Sequence, residues 1–282
     1  MRTGSYSRRI VISRIMECVI FFFAFISLLP LTLILFYLAK KGMAAIDWQF
    51  LTHLPRPVGE EGGGVVNAIV GSAILIFCAT LMAVPLGVGA GLYLSEAKEG
   101  KLSYWTRVAV DILQGSPSIV MGVVVYLWVV KPMQSFSALS GSIALAIMML
   151  PMVIYSTEET LKAIPCTLKE AALALGVPYY RTILKVVIPA GMSGITTGVL
   201  IGVARIAGET APLLFTAFGS PFLDINPLKP VAALPLVVFN YATSPYPQWW
   251  EQAWGASLVL TFLVLCLHLT AKIGTRRWKI QF

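Results

Sequence analysis

The chain has 282 residues, of which 57% are hydrophobic and only 12% are charged, and its mean hydropathy is +0.81. A soluble globular domain is about a quarter charged, so this composition excludes an ordinary soluble domain and indicates a protein with several membrane spans. The net charge of +8 would suit a nucleic-acid partner only if the basic residues were clustered, but they are spread between the apolar runs, and we expect no nucleic-acid binding.

The four cysteines and two histidines are scattered along the sequence and lack the spacing of a metal site or a redox motif. The sequence also contains no G-x-x-x-x-G-K-[ST] motif and no kinase-like or aspartyl-phosphate signature. We therefore expect a non-catalytic membrane protein with no catalytic residues, no metal, no cofactor and no ATP site of its own.

The chain begins with a basic tail, residues 1–14, and we expect residues 15–282 to form a single transmembrane domain. The apolar run 19–39 has the length of a full bilayer span. No small-residue cleavage site follows it, which argues against a signal peptide. This run is the first predicted transmembrane helix, with a kink expected near Pro30.

The second predicted span, residues 65–94, contains Pro85 and the glycines Gly87, Gly89 and Gly91. We expect the proline to break the helix. Glycine-rich runs also occur in nucleotide-binding loops, but no strand precedes this one and no Lys-Ser or Lys-Thr follows it. The glycines therefore indicate close packing against another helix.

Four further apolar runs bring the number of predicted spans to six: residues 107–130, 139–155, 191–218 and 253–271. The third span has Asp111 near its start, where we expect a structural role close to the headgroups. It is interrupted at residues 115–118, Gly-Ser-Pro-Ser, in which the serines either line a pore or satisfy the backbone freed by the proline.

A polar, helix-forming stretch, residues 156–190, separates the fourth and fifth spans. Thr167 and Glu170 have the spacing of a capping box, which predicts a helix that starts there. Gly176 is placed to end that helix in a left-handed cap, and Pro178 to open a second short helix. The first helix has an apolar face at Leu168, Ala171, Ala172 and Leu175. We expect the two helices to project from the membrane body as a docking knob.

The basic residues are distributed unequally between the two sides that six spans define. Fifteen of the 21 lysines and arginines lie in the termini and in the loops after the second and fourth spans, five lie on the opposite side, and Arg205 lies within a span. Positive residues accumulate on the cytoplasmic side of membrane proteins. Both termini and the stretch 156–190 are therefore predicted to be cytoplasmic.

The fifth predicted span contains two charged residues, Arg205 and Glu209. Arg205 lies about 21 Å along the helix from Gly191, well inside a hydrocarbon core of about 30 Å, where a charge costs at least ~2.5 kcal/mol. Glu209 is expected on the same helix face, four residues later. The two form either a structural ion pair or an anion site in a water-filled pathway, with Glu209 tuning Arg205. We favour the pathway, because intramembrane charges are usually functional.

The stretch 156–190 also resembles the EAA loop of ABC importer permeases, whose pattern is E-A-A-x3-G-x9-I-x-L-P. The matching residues are Glu170, Ala171, Ala172, Gly176 and Pro189, with Val186 and Ile188 in place of the usual Ile and Leu. The resemblance implies an all-α type I ABC importer permease fold. It also implies that Glu170, Ala171, Ala172 and Gly176 belong to a coupling helix that sits in a groove of an ATPase subunit.

Residues 205–214, R-I-A-G-E-T-A-P-L-L, resemble the fifth-span signature of the PstA family, the permease subunits of bacterial phosphate importers. Further resemblance lies in residues 62–71, 115–120, 234–235 and 240–241, and it extends from Gly62 to the end of the chain. It implies import of inorganic phosphate across the bacterial inner membrane, with Arg205 and Glu209 on the route. The implied partners are a homologous permease (PstC-like), an ATPase dimer (PstB-like) and a periplasmic phosphate-binding protein (PstS-like).

Other functions remain open at this point. A permease for sulfate or phosphonate would use the same arginine chemistry. A self-contained secondary transporter or channel would leave the docking stretch unexplained, and the sequence shows no internal repeat. A membrane-embedded enzyme acting on lipid should show a His/Asp/Glu or Cys constellation at one membrane face, and none is present. A scaffold role in signalling is compatible with transport.

Overall fold

The computed structural model describes residues 3–57, 59–60, 62–97 and 100–276, and the side chains within residues 12–269. Much of the predicted tail, residues 1–14, and the basic residues after 269 lie outside the described side chains. Among the described residues the chain is helical, and the one β feature is an isolated bridge between Phe218 and Val231.

In chain order the helices are α1 (Thr3–Ala45), α2 (Trp48–Thr52), α3 (Val66–Glu96), α4 (Lys101–Gly115), α5 (Ser118–Val125), α6 (Lys131–Met133), α7 (Ala138–Lys162), α8 (Cys166–Ala174), α9 (Tyr179–Thr182), α10 (Ile188–Ala207), α11 (Ala211–Thr216), α12 (Leu234–Ala242) and α13 (Pro247–Arg276). Two π-helical turns, Tyr126–Val130 and Ile183–Val187, join α5 to α6 and α9 to α10. The second of these makes Tyr179–Ala207 one helix of 29 residues.

Within the described ranges, five helices are long and apolar enough to cross a membrane: Ile12–Ala45, α3, α7, Tyr179–Ala207 and Pro247–Leu269. A sixth crossing is present if α4 and Ser118–Met133 count as one span, although these two helices are bent by 108° where they meet. The predicted all-α membrane architecture is confirmed. The interruption predicted within the third span, residues 107–130, is present as this bend.

Pro117 explains the break in this span. Proline disfavours helical backbone at the residue before it, and Ser116 has an extended ψ of 136°. The Ser116 hydroxyl donates a 2.6 Å hydrogen bond to the carbonyl of Ile112, which partly satisfies the interrupted backbone. For Ser116, the structure therefore supports the backbone role over the pore-lining one.

Pro30 and Pro85 lie inside α1 and α3, which are continuous helices past both prolines. The predicted break at Pro85 is therefore wrong. A proline removes one backbone donor, but the remaining helical hydrogen bonds face no competition from water in an apolar environment. Extensive packing of α3 against α7 further supports the continuous helix.

Helix α7 is the centre of the fold. It packs along α3 and along α10. In its apolar 18-residue stretch 67% of the residues are buried, whereas none are buried in the corresponding stretch of α1. The main core is formed by large buried side chains from four helices: Leu75, Leu145, Met149, Ile206 and Leu213. Helix α1 packs on α13 and leaves most of its apolar surface exposed, as expected of a helix that faces lipid.

Of the glycines Gly87, Gly89 and Gly91 in α3, the first and the last allow this helix to approach α7 closely. A Cβ atom on Gly87 would lie 2.7 Å from the side chain of Val153, and one on Gly91 would lie 2.7 Å from the carbonyl oxygen of Ile154. Residues four apart share one helix face, so these glycines form a packing stripe. Gly89 has open space around its Cβ position. The predicted packing role is confirmed for Gly87 and Gly91 and is wrong for Gly89 within this chain.

We expect Gly91→Ala to destabilise the protein, because its Cβ would lie 2.6 Å from the side chain of Thr157 as well as close to the α7 backbone. Overpacking of this kind typically costs about 1–3 kcal/mol. Gly89→Ala is the matched control and should be neutral or stabilising by up to ~1 kcal/mol through helix propensity. Thermal unfolding of both purified variants measures the difference, and equal melting temperatures would contradict the packing stripe.

Candidate functional site

The predicted docking stretch contains one short helix, α8, which lies between the end of α7 and the start of the helix Tyr179–Ala207. Helix α8 begins at Cys166, with Pro165 at the N-cap and no side-chain capping hydrogen bond. The capping box predicted at Thr167 and Glu170 is therefore wrong. Pro165, with its fixed φ and an extended ψ of 132°, starts the helix earlier, so that Thr167 already lies within its first turn.

The end of α8 agrees with the sequence prediction. Gly176 is in the left-handed conformation, with φ at +78°. Its N–H donates to the carbonyl of Leu173 at 2.9 Å, and the N–H of Val177 donates to the carbonyl of Ala172 at 3.2 Å. These two hydrogen bonds form a Schellman motif, which satisfies carbonyl groups in the last turn of the helix.

The second short helix predicted after Pro178 is part of a much longer one. Pro178 is the N-cap, and from Tyr179 the chain stays helical through the π-turn Ile183–Val187 to Ala207. The fifth span therefore starts earlier than predicted. The docking stretch consists of one helix and a sharp turn, rather than of two short helices around a glycine.

The predicted apolar face of α8 is divided between the body of the protein and the surface. Ala172 is buried, whereas Glu170 and Ala171 are exposed and the side chain of Leu175 is 84% exposed. Leu173 is exposed as well. Neighbouring exposed apolar side chains on a short helix are typical of a protein-contact surface.

Three polar side chains fasten α8 to the ends of two long helices. Lys169 Nζ and the Tyr179 hydroxyl both donate to Glu96 Oε2 at the end of α3. Lys169 Nζ also lies 3.3 Å from the Tyr179 hydroxyl and 4.8 Å from the centre of its ring. Burial opposes the charge of Lys169, but the hydrogen bonds to Glu96 and Tyr179 outweigh it and raise the pKa of Lys169. Lys169 is therefore charged at neutral pH.

Arg205 lies in the last turn of α10, where the helix dipole favours a positive charge. Since the helix begins at Tyr179, Arg205 lies about 39 Å from its start, near the far end of the helix rather than in its middle. The helix ends at Ala207, so the prediction of a continuous helix to residue 218 is wrong.

Glu209 lies beyond the helix, in the turn between α10 and α11. The N–H of Gly208 donates to the carbonyl of Arg205, and that of Glu209 to the carbonyl of Ile206. This turn, and not a shared helix face, brings Glu209 Oε1 to 3.9 Å from Arg205 Nε. Among the described residues, Arg205 has no other polar side-chain partner.

The ion pair of Arg205 and Glu209 is loose and open to other partners. The two side chains are 38% and 21% exposed, and their separation of 3.9 Å is at the outer limit of an ion pair. Partly exposed pairs of this kind contribute only about 0–1 kcal/mol to stability. The pair therefore contributes little to holding the fold together.

A second ion cluster, which the sequence analysis missed, lies where α4 packs on α7. Glu158 is 3% exposed, and its Oε1 lies 2.5 Å from Arg107 Nη2 and 2.6 Å from Lys162 Nζ. The fourth span was predicted to end at residue 155, but α7 continues to Lys162 and includes Glu158. The four-residue spacing of Glu158 and Lys162 was the available signal.

Asp111 lies next to this cluster. The hydroxyl of Tyr155 on α7 donates a hydrogen bond to its carboxylate, so Asp111 links α4 to α7. This contact supports the structural role expected for Asp111.

We expect Glu158→Gln to lower the free energy of unfolding by about 2 kcal/mol, because hydrogen bonds to charged groups contribute roughly 1.5–3 kcal/mol. Glu159→Gln is the matched control, since Glu159 is adjacent in sequence and exposed. Thermal unfolding of the detergent-solubilised variants measures the effect. A Glu158 variant as stable as the Glu159 variant would show that the cluster does not stabilise the packing of α4 on α7.

The chain has extensive similarity to known transport proteins. Residues 83–279 match the family described as the binding-protein-dependent transport system inner membrane component. The phosphate transport system permease protein PstA of Yersinia pestis is 44% identical over 241 residues, which are 85% of this chain and 82% of that protein. PstA of Haemophilus influenzae is 41% identical over 249 residues, 88% of each chain. A probable PstA of Methanocaldococcus jannaschii is 38% identical over 252 residues, 89% of each chain.

Solved structures show the same fold. The MetNI methionine ABC transporter in an inward-facing conformation aligns with a TM-score of 0.66 at 18% identity, covering 77% of this chain and 96% of that chain. An amino acid ABC transporter solved with histidines aligns with a TM-score of 0.55 at 16% identity, covering 76% and 92%. The predicted ABC importer permease fold is thus confirmed. The chain belongs to the family of binding-protein-dependent transport system inner membrane components, and within that family to the PstA permease proteins.

Proposed function

We propose that this chain is the transmembrane permease subunit of an ATP-driven phosphate importer, in which it forms half of the translocation pathway and docks an ATPase subunit. The observation that carries the proposal is its likeness to phosphate transport system permease proteins along most of its length. The sequence has no nucleotide-binding motif of its own, so the energy for transport enters through contact with a separate ATPase.

The ATPase contacts α8 in this proposal. Glu170, Ala171 and Leu175 supply the contact surface, which is supported by their exposure on a short helix. Ala172 anchors the helix to the body, and Gly176 sets the direction of the chain as it leaves the helix. The coupling role predicted for Glu170, Ala171, Ala172 and Gly176 is retained as a proposal, with different tasks for the four residues.

Arg205 and Glu209 line the phosphate route in this proposal. A guanidinium group offers a planar fork of donors that matches two oxygens of a phosphate, and its charge does not titrate. The loose contact with Glu209 leaves that fork accessible to an arriving anion. Competition with the carboxylate keeps binding weak, which a pathway needs because the ion must also leave.

The complete transporter contains further subunits in this proposal: a homologous permease (PstC-like) that completes the pathway, an ATPase dimer (PstB-like) and a periplasmic phosphate-binding protein (PstS-like). Residues 15–282 form one permease domain in the bacterial inner membrane, and residues 1–14 form a cytoplasmic tail. The distribution of lysine and arginine supports this orientation, with α8 on the cytoplasmic side.

The orientation predicts the outcome of cysteine labelling. In a variant without the native cysteines, single cysteines at positions Ser7 and Thr275 should react with a membrane-impermeant maleimide only from the cytoplasm. A cysteine at Ser220 should react only from the outside. Labelling of positions 7 and 275 from opposite sides would contradict an even number of spans.

Reconstitution of the whole assembly in liposomes tests the function. We expect ATP hydrolysis to rise when the binding protein is loaded with phosphate, and phosphate to enter the vesicles only with ATP. Sulfate and phosphonate serve as competing substrates. Preferential uptake of sulfate or phosphonate would identify that anion, and not phosphate, as the substrate. Uptake without the ATPase would identify a self-contained transporter.

A further inference from the structure

We propose that Glu96, Lys169 and Tyr179 form a latch that holds the coupling helix α8 in a fixed position relative to the ends of α3 and the helix Tyr179–Ala207. The proposal rests on the function proposed above, because the latch positions the surface that contacts the ATPase. The three residues position this surface and do not touch phosphate.

The latch joins three elements that are distant in the sequence. Glu96 is the last residue of α3, Lys169 lies within α8, and Tyr179 is the first residue of the long helix. One carboxylate oxygen, Glu96 Oε2, accepts hydrogen bonds from both other side chains. The side chains of Glu96 and Lys169 are each only 27% exposed, so their attraction is less screened than that of a surface pair.

The geometry of Lys169 gives the latch a defined arrangement. Its ammonium group lies 3.3 Å from the Tyr179 hydroxyl and 4.8 Å from the centre of the Tyr179 ring, in addition to its contact with Glu96. Three simultaneous interactions restrict the rotation of a long side chain that would otherwise be free to change rotamer. Charge-assisted hydrogen bonds are also roughly twice as strong as neutral ones.

The two connections at the ends of α8 do not by themselves hold the helix rigidly. The helix is joined to α7 through residues 163–165 and to the long helix through residues 175–178, and among its own residues Ala172 is the buried one. A nine-residue helix on two short connections can rock when a partner pushes on it. The latch adds a third attachment, to α3, which is not adjacent to α8 in the sequence.

This attachment offers a route by which movement of the ATPase reaches the spans. Helix α3 packs along α7, and α7 packs along α10, which carries Arg205. A displacement of α8 is therefore passed to α3 through Glu96, as well as to α7 and α10 through the chain. Without the latch, part of the displacement is lost as rocking of α8.

The test compares Glu96→Gln and Lys169→Gln with the wild-type assembly in liposomes. We expect both variants to assemble with the ATPase, while stimulation of ATP hydrolysis by the phosphate-loaded binding protein falls about fivefold, the low end of the usual range for coupling between two sites. The ATP consumed per phosphate transported should rise. Lys101→Gln is the matched control, since Lys101 is an exposed lysine at the start of α4 and lies outside the docking stretch.

The charge exchange Glu96→Lys with Lys169→Glu gives the decisive comparison. If the ion pair positions α8, the exchange should restore stimulation well above that of either single variant. Normal stimulation in both single variants, or no recovery in the exchanged variant, would overturn the latch. A wild-type assembly without phosphate-stimulated ATP hydrolysis would instead contradict the proposed function, so the two failures are distinguishable.

Discussion

Arg205→Gln should abolish phosphate uptake while insertion into the membrane and assembly with the ATPase remain normal. The change removes the positive charge in the last turn of α10 and leaves the carboxylate of Glu209 without its partner. A phosphate dianion that approaches this carboxylate is repelled, and charge effects are several-fold stronger near a protein interior than in water. Uptake of labelled phosphate by cells or liposomes measures the loss.

Because the ion pair is weak, a loss of uptake can be assigned either to a structural role of Arg205 or to a role in transport. A partly exposed contact at 3.9 Å contributes only about 0–1 kcal/mol, so breaking it should hardly affect folding. If Arg205 served the structure alone, Arg205→Gln would therefore leave most of the uptake intact. Arg205→Lys keeps the charge but loses the planar fork, and we expect partial activity at best.

The double variant Arg205→Gln with Glu209→Gln decides between a structural pair and a pathway residue. Neutralising both side chains leaves no unpaired charge, so with a purely structural pair the double variant should take up phosphate at least as well as Arg205→Gln. If Arg205 guides the anion, the double variant folds normally and stays inactive. Substantial phosphate uptake by the double variant would refute the role of Arg205 in the pathway.

Gly176→Val should lower uptake strongly without affecting insertion of the spans. Gly176 has a φ of +78°, and a Cβ there would have nothing within 4 Å, so the penalty comes from the backbone and not from a clash. The left-handed conformation costs an L-residue roughly 1–2 kcal/mol, and a β-branched residue avoids it most strongly. The Schellman hydrogen bonds at the end of α8 should be lost, and the coupling surface should turn away from the ATPase.

Gly176→Asn is the matched control for this variant. Asparagine adopts the left-handed conformation more readily than other non-glycine residues, so it should retain much more uptake than valine at the same position. Copurification measures association with the ATPase, and labelled phosphate measures transport. Wild-type association and uptake in Gly176→Val would show that the cap does not orient α8.

The sequence by itself determined the features that depend on local chemistry. The approximate position of most of the spans follows from the length of the apolar runs, because a bilayer requires about 20 such residues per helix. The left-handed cap at Gly176 follows from the one residue without a Cβ at the end of an amphipathic segment. The interruption at residues 115–118 follows from Pro117, whose effect on Ser116 is a property of adjacent residues.

Only the tertiary structure decided where several helices end and which charges meet. Helix α7 continues past the predicted end because Glu158, in its last turns, is buried against Arg107 of α4 and paired with Lys162. The Glu96 carboxylate meets Lys169 and Tyr179 across 73 and 83 positions of the sequence. Arg205 and Glu209 meet through a turn that ends α10, although their spacing suggested one helical face. The contacts of Glu158 with Arg107 and of Glu96 with Lys169 depend on how whole helices pack, and no local pattern of residues encodes that packing.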